Sequence, residues 1–209
     1  MHNPRTHART ARVTSYYPVG PCADMPGPTN TSPAEPAAPA PLVIRQVEAA
    51  ADIAAAERCF DTYTEWLDMD ISFQDYAAER KGLPGKYAAP SGALLLAVDP
   101  LSDSVLGCIA MRPIELGPEF LRQRRPDARY CEIKRLFVYP AARGRQVSRA
   151  LVREVTRRAR EVGYSEVLLD TMTKMQAAVK LYVSEGFEET APYNASPLDG
   201  VMYFSKKLD

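Results

Sequence analysis

Residues 131–187 constrain the fold of this chain more than any other part of it. They read CEIKRLFVYPAARGRQVSRALVREVTRRAREVGYSEVLLDTMTKMQAAVKLYVSEGF. An apolar strand stops at Pro140 and an arginine–glycine loop follows. Val147, Leu151, Val155, Ala159 and Val162 then recur at the spacing of one helix face, and Gly163 suits the position just past its end. Glu166 to Thr171 is a nearly continuous apolar run, as a central strand requires, and Ala177 to Glu185 reads as a helix closed by Gly186. A strand feeding a backbone-rich loop at a helix N-terminus is a device for holding phosphate. The first amides of a helix have no internal partner, and the helix dipole favours negative charge there. A phosphate-bearing cofactor is the first expectation.

The 209 residues suffice for one domain with a formed core. Basic and acidic side chains balance at 26 each, so no global field argues for nucleic acid or an anionic membrane. The longest apolar run, Ala93 to Val98, has strand length, far below the roughly 20 residues of a membrane span. Neither nucleic acid nor membrane is expected as a partner. Cys22, Cys59, Cys108 and Cys131 form no C-x-x-C pair, which favours reduced thiols, no metal site and a cytoplasmic protein. Residues 1–40 are rich in proline, alanine and small polar residues, and read as a disordered tail. Arg5, Arg9 and Arg12, with no acid before Asp24, also suit an organellar transit peptide, but Pro4 and the lack of an apolar face argue against an amphipathic helix.

The folded domain is expected over residues 41–209. Leu42–Val47 reads as a strand and Ala49–Leu67 as a helix. Ser72–Arg80 reads as a second helix, with Ser72 as its cap and Asp75 as a weak capping partner. Ala93–Asp99 and Ser104–Arg112 form a hairpin, Tyr130–Tyr139 a further strand, and Val201–Leu208 the last one. The basic run Arg122, Arg124 and Arg125 reads as part of a solvated loop. This order predicts an α/β (α+β) fold with a mixed sheet flanked by helices.

Arg143-Gly144-Arg145-Gln146-Val147-Ser148, set between the strand LFVYP and the later LYVSEGF, resembles the [QR]-x-x-G-x-[GA] loop of the GCN5-related N-acetyltransferase (GNAT) superfamily. The element order extends the resemblance from about Leu42 to Asp209. SFQDYAAERKGLPGKYAAPSGALLLA and CEIKRLFV further resemble small bacterial and fungal members. The resemblance implies a mostly antiparallel sheet of six to seven strands. It also implies acetyl-CoA as co-substrate, no metal, and direct attack on the thioester by the amine of a small or amino-acid-like acceptor. A protein or peptide acetyltransferase and a non-catalytic acyl-CoA-binding module are the alternatives, and a homodimer through the last strands is a family habit.

The resemblance also assigns residues. Leu136, Phe137 and Val138 on the strand, and Arg143, Gly144, Arg145, Gln146, Val147, Ser148 and Arg149 across the loop and helix start, would bind the coenzyme. The amide of Phe137 or Val138 would meet the thioester carbonyl. Gln146 and Ser148 stand where the family carries small residues. Backbone amides make the phosphate contact, so side-chain identity is secondary provided the backbone conformation survives. A helical, negative φ at Gln146 and retained coenzyme binding are expected, a positive φ costing roughly 1 kcal/mol. Glu132 is the expected general base, with an ion pair to Lys134 or Arg135 as the structural alternative, and Tyr182 the expected acid for the departing thiolate. Trp66, Phe73 and Tyr76 would wall the acceptor pocket, near the loop from Leu83 to Ser91, and Glu65, Asp68 and Asp70 could attract a cationic amine.

Overall fold

The computed structural model describes residues 42–67, 75–122 and 124–208. The readings made for residues 1–40 and for Asp68, Asp70, Ser72 and Phe73 lie outside these. Seven strands form one sheet in the order β1-β2-β3-β4-β5-β7-β6: β1 Val43–Gln46, β2 Ala93–Val98, β3 Val105–Ile114, β4 Tyr130–Val138, β5 Glu166–Met172, β6 Glu188–Glu189 and β7 Val201–Lys207. Every neighbouring pair is antiparallel except β4 and β5. The helices are α1 (Ala50–Leu67), α2 (Tyr76–Lys81), α3 (Val147–Val162) and α4 (Gln176–Ser184). The expected mixed, mostly antiparallel sheet is present. The two-residue β6 was not anticipated, since Glu188 and Glu189 are exposed and carry no apolar alternation.

Both faces of the sheet are covered, and side-chain alternation shows how. Leu94, Leu96 and Val98 of β2 pack with Ala56, Cys59 and Phe60 of α1. Their neighbours Ala93, Leu95 and Ala97 pack with Leu151, Val155 and Ala159 of α3. A strand buried on both sides reads as an unbroken apolar run, which is why ALLLAV shows no period of two. Gly163 takes φ 83° and its amide returns to the Arg160 carbonyl, ending α3 as its sequence requires.

One irregularity in β4 positions the site. Cys108 pairs with Phe137 and Ala110 with Lys134, so β4 carries one residue more than β3 across this step. The extra residue is Arg135, at φ 58°. A bulge of one residue moves every later side chain to the opposite face. Cys131 and Ile133 lie with the α3-side core, yet Phe137, of the same parity, joins the α1-side core. Leu136 and Val138 are thereby turned toward the loop that opens α3.

In the basic loop Arg122 and Arg125 are exposed as expected, and Arg124 is the exception. Arg124 is buried: its guanidinium pairs with Glu166 at 2.9 Å and donates to Thr190 Oγ1 and the Ala191 carbonyl. It ties the loop to the start of β5. Cys59, Cys108 and Cys131 are buried free thiols.

Candidate active site

β4 and β5 pair only from Tyr130–Glu166 to Glu132–Leu168, although both strands run on. Past that point they part, and the gap opens three adjoining cavities. The largest, about 790 Å³, lies at the start of α3 and is lined by Leu136, Phe137, Val138, Arg143, Gly144, Gln146, Val147 and Ser148, with Trp66 and residues of α4. A smaller chamber of about 100 Å³ follows between the parted strands, lined by Tyr63, Lys134, Asp170 and Tyr182 among others. A third, about 160 Å³, is lined by Glu79, Lys86, Arg112, Glu132, Lys134, Asp170 and residues 194–196. Tyr63, Leu136 and Met175 line both the first and the second, and Lys134, Asp170 and Ser196 both the second and the third.

The large cavity ends on backbone donors. Gln146 makes no side-chain cap, and the first amide of α3 with an internal partner is Ala150, bonded to the Gln146 carbonyl at 3.0 Å. The amides of Val147, Ser148 and Arg149 have none within the helix. Tyr139 N–H donates to the Leu106 carbonyl of β3 at 2.9 Å. Because successive amides alternate sides along a strand, that of Val138 points the other way, into the gap.

Gln146 departs from expectation. It lies at φ 61°, ψ 15°, in the left-handed region, not at the helical φ its place beside α3 suggested. Two positive-φ residues, Gly144 at 80° and Gln146, turn the chain onto the helix axis, so Gln146 is the residue before the helix and not part of its first turn. A non-glycine residue there costs roughly 1 kcal/mol. Gln146→Gly is expected to raise stability by up to about 1 kcal/mol with the loop geometry kept, read as a higher denaturant midpoint at unchanged slope.

The third cavity is walled by charges laid out by strand register. Arg112, Glu132 and Leu168 stand opposite one another across β3, β4 and β5. Two residues on, past the parting, Lys134 and Asp170 share the same face and are joined at 3.1 Å by an ion pair that spans the gap. Glu132 is 1 % exposed. Its Oε2 accepts from Arg112 Nε at 2.7 Å and pairs with Nη2 at 2.6 Å, while its Oε1 accepts from Tyr193 Oη at 2.9 Å and lies 3.3 Å from Lys134 Nζ. Both oxygens are fully engaged. By contrast Asp170, whose side chain is 20 % exposed, uses one oxygen, and its Oδ2 has no partner among the described residues.

A second ion cluster braces the bulge. Arg135 donates from Nε and Nη2 to the two Glu79 oxygens at 2.9 and 3.2 Å, and its guanidinium lies over the Tyr76 ring at 5.4 Å. Tyr87 Oη and Lys86 Nζ also reach Glu79, at 2.8 and 2.9 Å. Burial alone would raise the Glu79 pKa, but the bonds and charge of Arg135, helped by Lys86 and Tyr87, hold it down at about 2 against an ordinary 4.5. A lowered carboxyl pKa adds stability that is complete above the unfolded value and is lost as pH falls through the folded one. Stability is therefore expected to decline from about pH 4.5 toward 2, and Glu79→Gln to flatten that limb of an acid titration followed by circular dichroism.

A sequence profile of the acetyltransferase (GNAT) family matches residues 48–187. The chain belongs to the GNAT acetyltransferase family. An N-acetyltransferase of Schizosaccharomyces pombe is 33 % identical over 170 residues, spanning 81 % of this chain and 97 % of its own. One from Dictyostelium discoideum is 27 % identical, across 79 % and 98 %. Among solved structures, a GNAT-family acetyltransferase of Staphylococcus aureus superposes with a TM-score of 0.61 at 17 % identity, covering 81 % of this chain and all 100 % of that one. Arabidopsis thaliana NAA60 in complex with acetyl-CoA gives 0.60 at 16 %, over 80 % and 99 %.

Within this GNAT fold the expected loop and strand residues converge, with exceptions. Arg145 is paired with Asp99 at 2.9 Å, and Arg149 with Glu185 at 2.8 Å; neither lines the large cavity. Trp66 is not a wall of the charged cavity but of the large one, where the Arg143 guanidinium lies 5.6 Å from its ring. Tyr76 lines none of the three cavities; it supports Arg135 and donates to Asp61 at 3.2 Å. Glu65 faces solvent. The ion pair weighed for Glu132 forms with Arg112 and Lys134, while Arg135 turns to Glu79. Arg112, Asp170 and Tyr193 were not singled out from the sequence, and Lys134 only as a possible partner of Glu132. Asp170 left a trace there, as the one acid inside the apolar run VLLDT.

Proposed function

We propose that the chain transfers the acetyl group of acetyl-CoA to the amine of a small molecule held in the charged cavity. The observation that carries this is the continuity of the three cavities through the parted strands, from uncapped helix amides at one end to a small, charged cavity at the other. The residues fit the coenzyme. Amides at the start of α3 suit a pyrophosphate, and Gly144 has nothing within 4 Å of where a Cβ would stand, leaving the loop open on that side. A chamber of about 160 Å³ favours a small amine or an amino-acid-like acceptor over a polypeptide, which would need an open groove.

Bound acetyl-CoA supplies an acyl carbon already activated as a thioester, so no covalent intermediate on the protein is required. The Val138 amide is placed to hold the carbonyl oxygen. Asp170 takes the role first expected of Glu132: it lines both chambers, holds the ammonium form of the amine and accepts one of its protons, freeing the nitrogen to attack. The second N–H proton leaves to solvent as the amide forms. Glu132 is a positioning residue that fixes Arg112 and Lys134. Tyr182 lines the middle chamber and donates a proton to the sulfur as the C–S bond breaks. Titration calorimetry with acetyl-CoA tests the first requirement. One site per chain is expected, and no heat of binding at any concentration contradicts the reading.

A further inference from the structure

The charged chamber has unused donors on one side and an unused acceptor on the other. Arg112 directs Nε and Nη2 at Glu132, leaving Nη1 without a partner among the described residues. Lys86 spends one contact on Glu79, so its ammonium retains donors to spare. The carboxylates beside them are not free to answer: Glu79 and Glu132 are buried and saturated by their own partners. Among the described residues that line the chamber, the one unsatisfied anionic oxygen is Oδ2 of Asp170, a residue that also lines the middle chamber. We infer that the acceptor is a zwitterion, an α-amino acid or close analogue. Its carboxylate lies against Arg112 and Lys86, and its amine against Asp170.

The inference rests on the small-amine reading and adds the second charge. A guanidinium with donors to spare recognises a carboxylate directionally. An acceptor lacking that group would leave Arg112 Nη1 and the remaining donors of Lys86 without an acceptor from the bound molecule. Asp170 lines the middle chamber as well as the charged one and so also sets orientation, since the amine is then the end that faces the thioester chamber.

The test compares matched acceptors on the full chain, with thiol release from acetyl-CoA as readout. Free amino acids are paired with the same molecules lacking the carboxylate, and with their methyl esters. The expected result is a kcat/KM at least about tenfold higher for the free acid, carried mainly by KM. In Lys86→Gln the ratio of acid to decarboxylated amine is expected to fall by about tenfold; Glu79 keeps Arg135 and Tyr87, so the fold survives this change. Equal turnover of acid and decarboxylated amine, or an unchanged ratio in Lys86→Gln, overturns the zwitterion and leaves the small-amine reading standing. Absence of thiol release with every small amine overturns both.

Discussion

Asp170→Asn is expected to lower kcat/KM for the acceptor amine by about a hundred- to a thousand-fold, the range of a lost general base. The substitution keeps the size of the side chain and one oxygen for Lys134, whose ammonium still faces Glu132 at 3.3 Å. It removes the charge that holds the amine and the oxygen that receives its proton. Asp170 does not line the large cavity, so acetyl-CoA affinity should stay within about twofold of wild type. The comparison of turnover with calorimetric affinity is the check. A parallel fall in both would mean that Asp170 only holds the sheet together across the gap.

Tyr182→Phe is expected to lower kcat by about a hundred-fold with acetyl-CoA binding retained. The ring packs edge-on against Phe187 at 5.8 Å and tilted against Phe204 at 6.4 Å, contacts that phenylalanine reproduces. Burial pushes the Tyr182 hydroxyl up, and Tyr63 and Asp170 nearby add to this. The hydroxyl therefore stays protonated throughout the neutral range and is available as a donor. Its removal should slow the single-turnover rate. An unchanged rate would leave Tyr182 as a core aromatic and shift protonation of the sulfur to solvent.

The parts of the fold that follow local rules were readable from the chain. The α3 face from Val147 to Val162, the stop at Gly163 and the doubly buried β2 each express one periodicity or one turn preference, and each stands where it was expected. The bulge was not readable. IKRLF carries no glycine or proline to mark it, and Arg135 holds its left-handed backbone through a distant partner, Glu79 of α2. Gln146 misled for a related reason: the helix start was visible, but the direction of approach to it was set by Gly144 and the loop. The charged cavity was half visible. Glu132 and Lys134 alternate on one face and Asp170 interrupts an apolar strand. Arg112 becomes their neighbour only through the β3–β4 register, and Tyr193 arrives from a loop with no periodicity to read.

These misses share one cause. The candidate chemistry sits where strands stop pairing, and a sequence records pairing far better than its interruption. The Lys134–Asp170 ion pair bridges β4 and β5 two residues past their last backbone pairing. Its two residues line both the middle chamber and the charged one, so the same side chains that bridge the gap also line the proposed acceptor site.

The proposed path from acetyl-CoA to a small amine is tested most directly by steady-state thiol release. Wild-type protein would be given acetyl-CoA with a panel of small primary amines, and separately with peptides bearing the same amine at their N-terminus. Turnover with at least one small amine, and at least about tenfold less with its peptide counterpart, is predicted. Acetylation of peptides alone, or thiol release independent of any added amine, would contradict it.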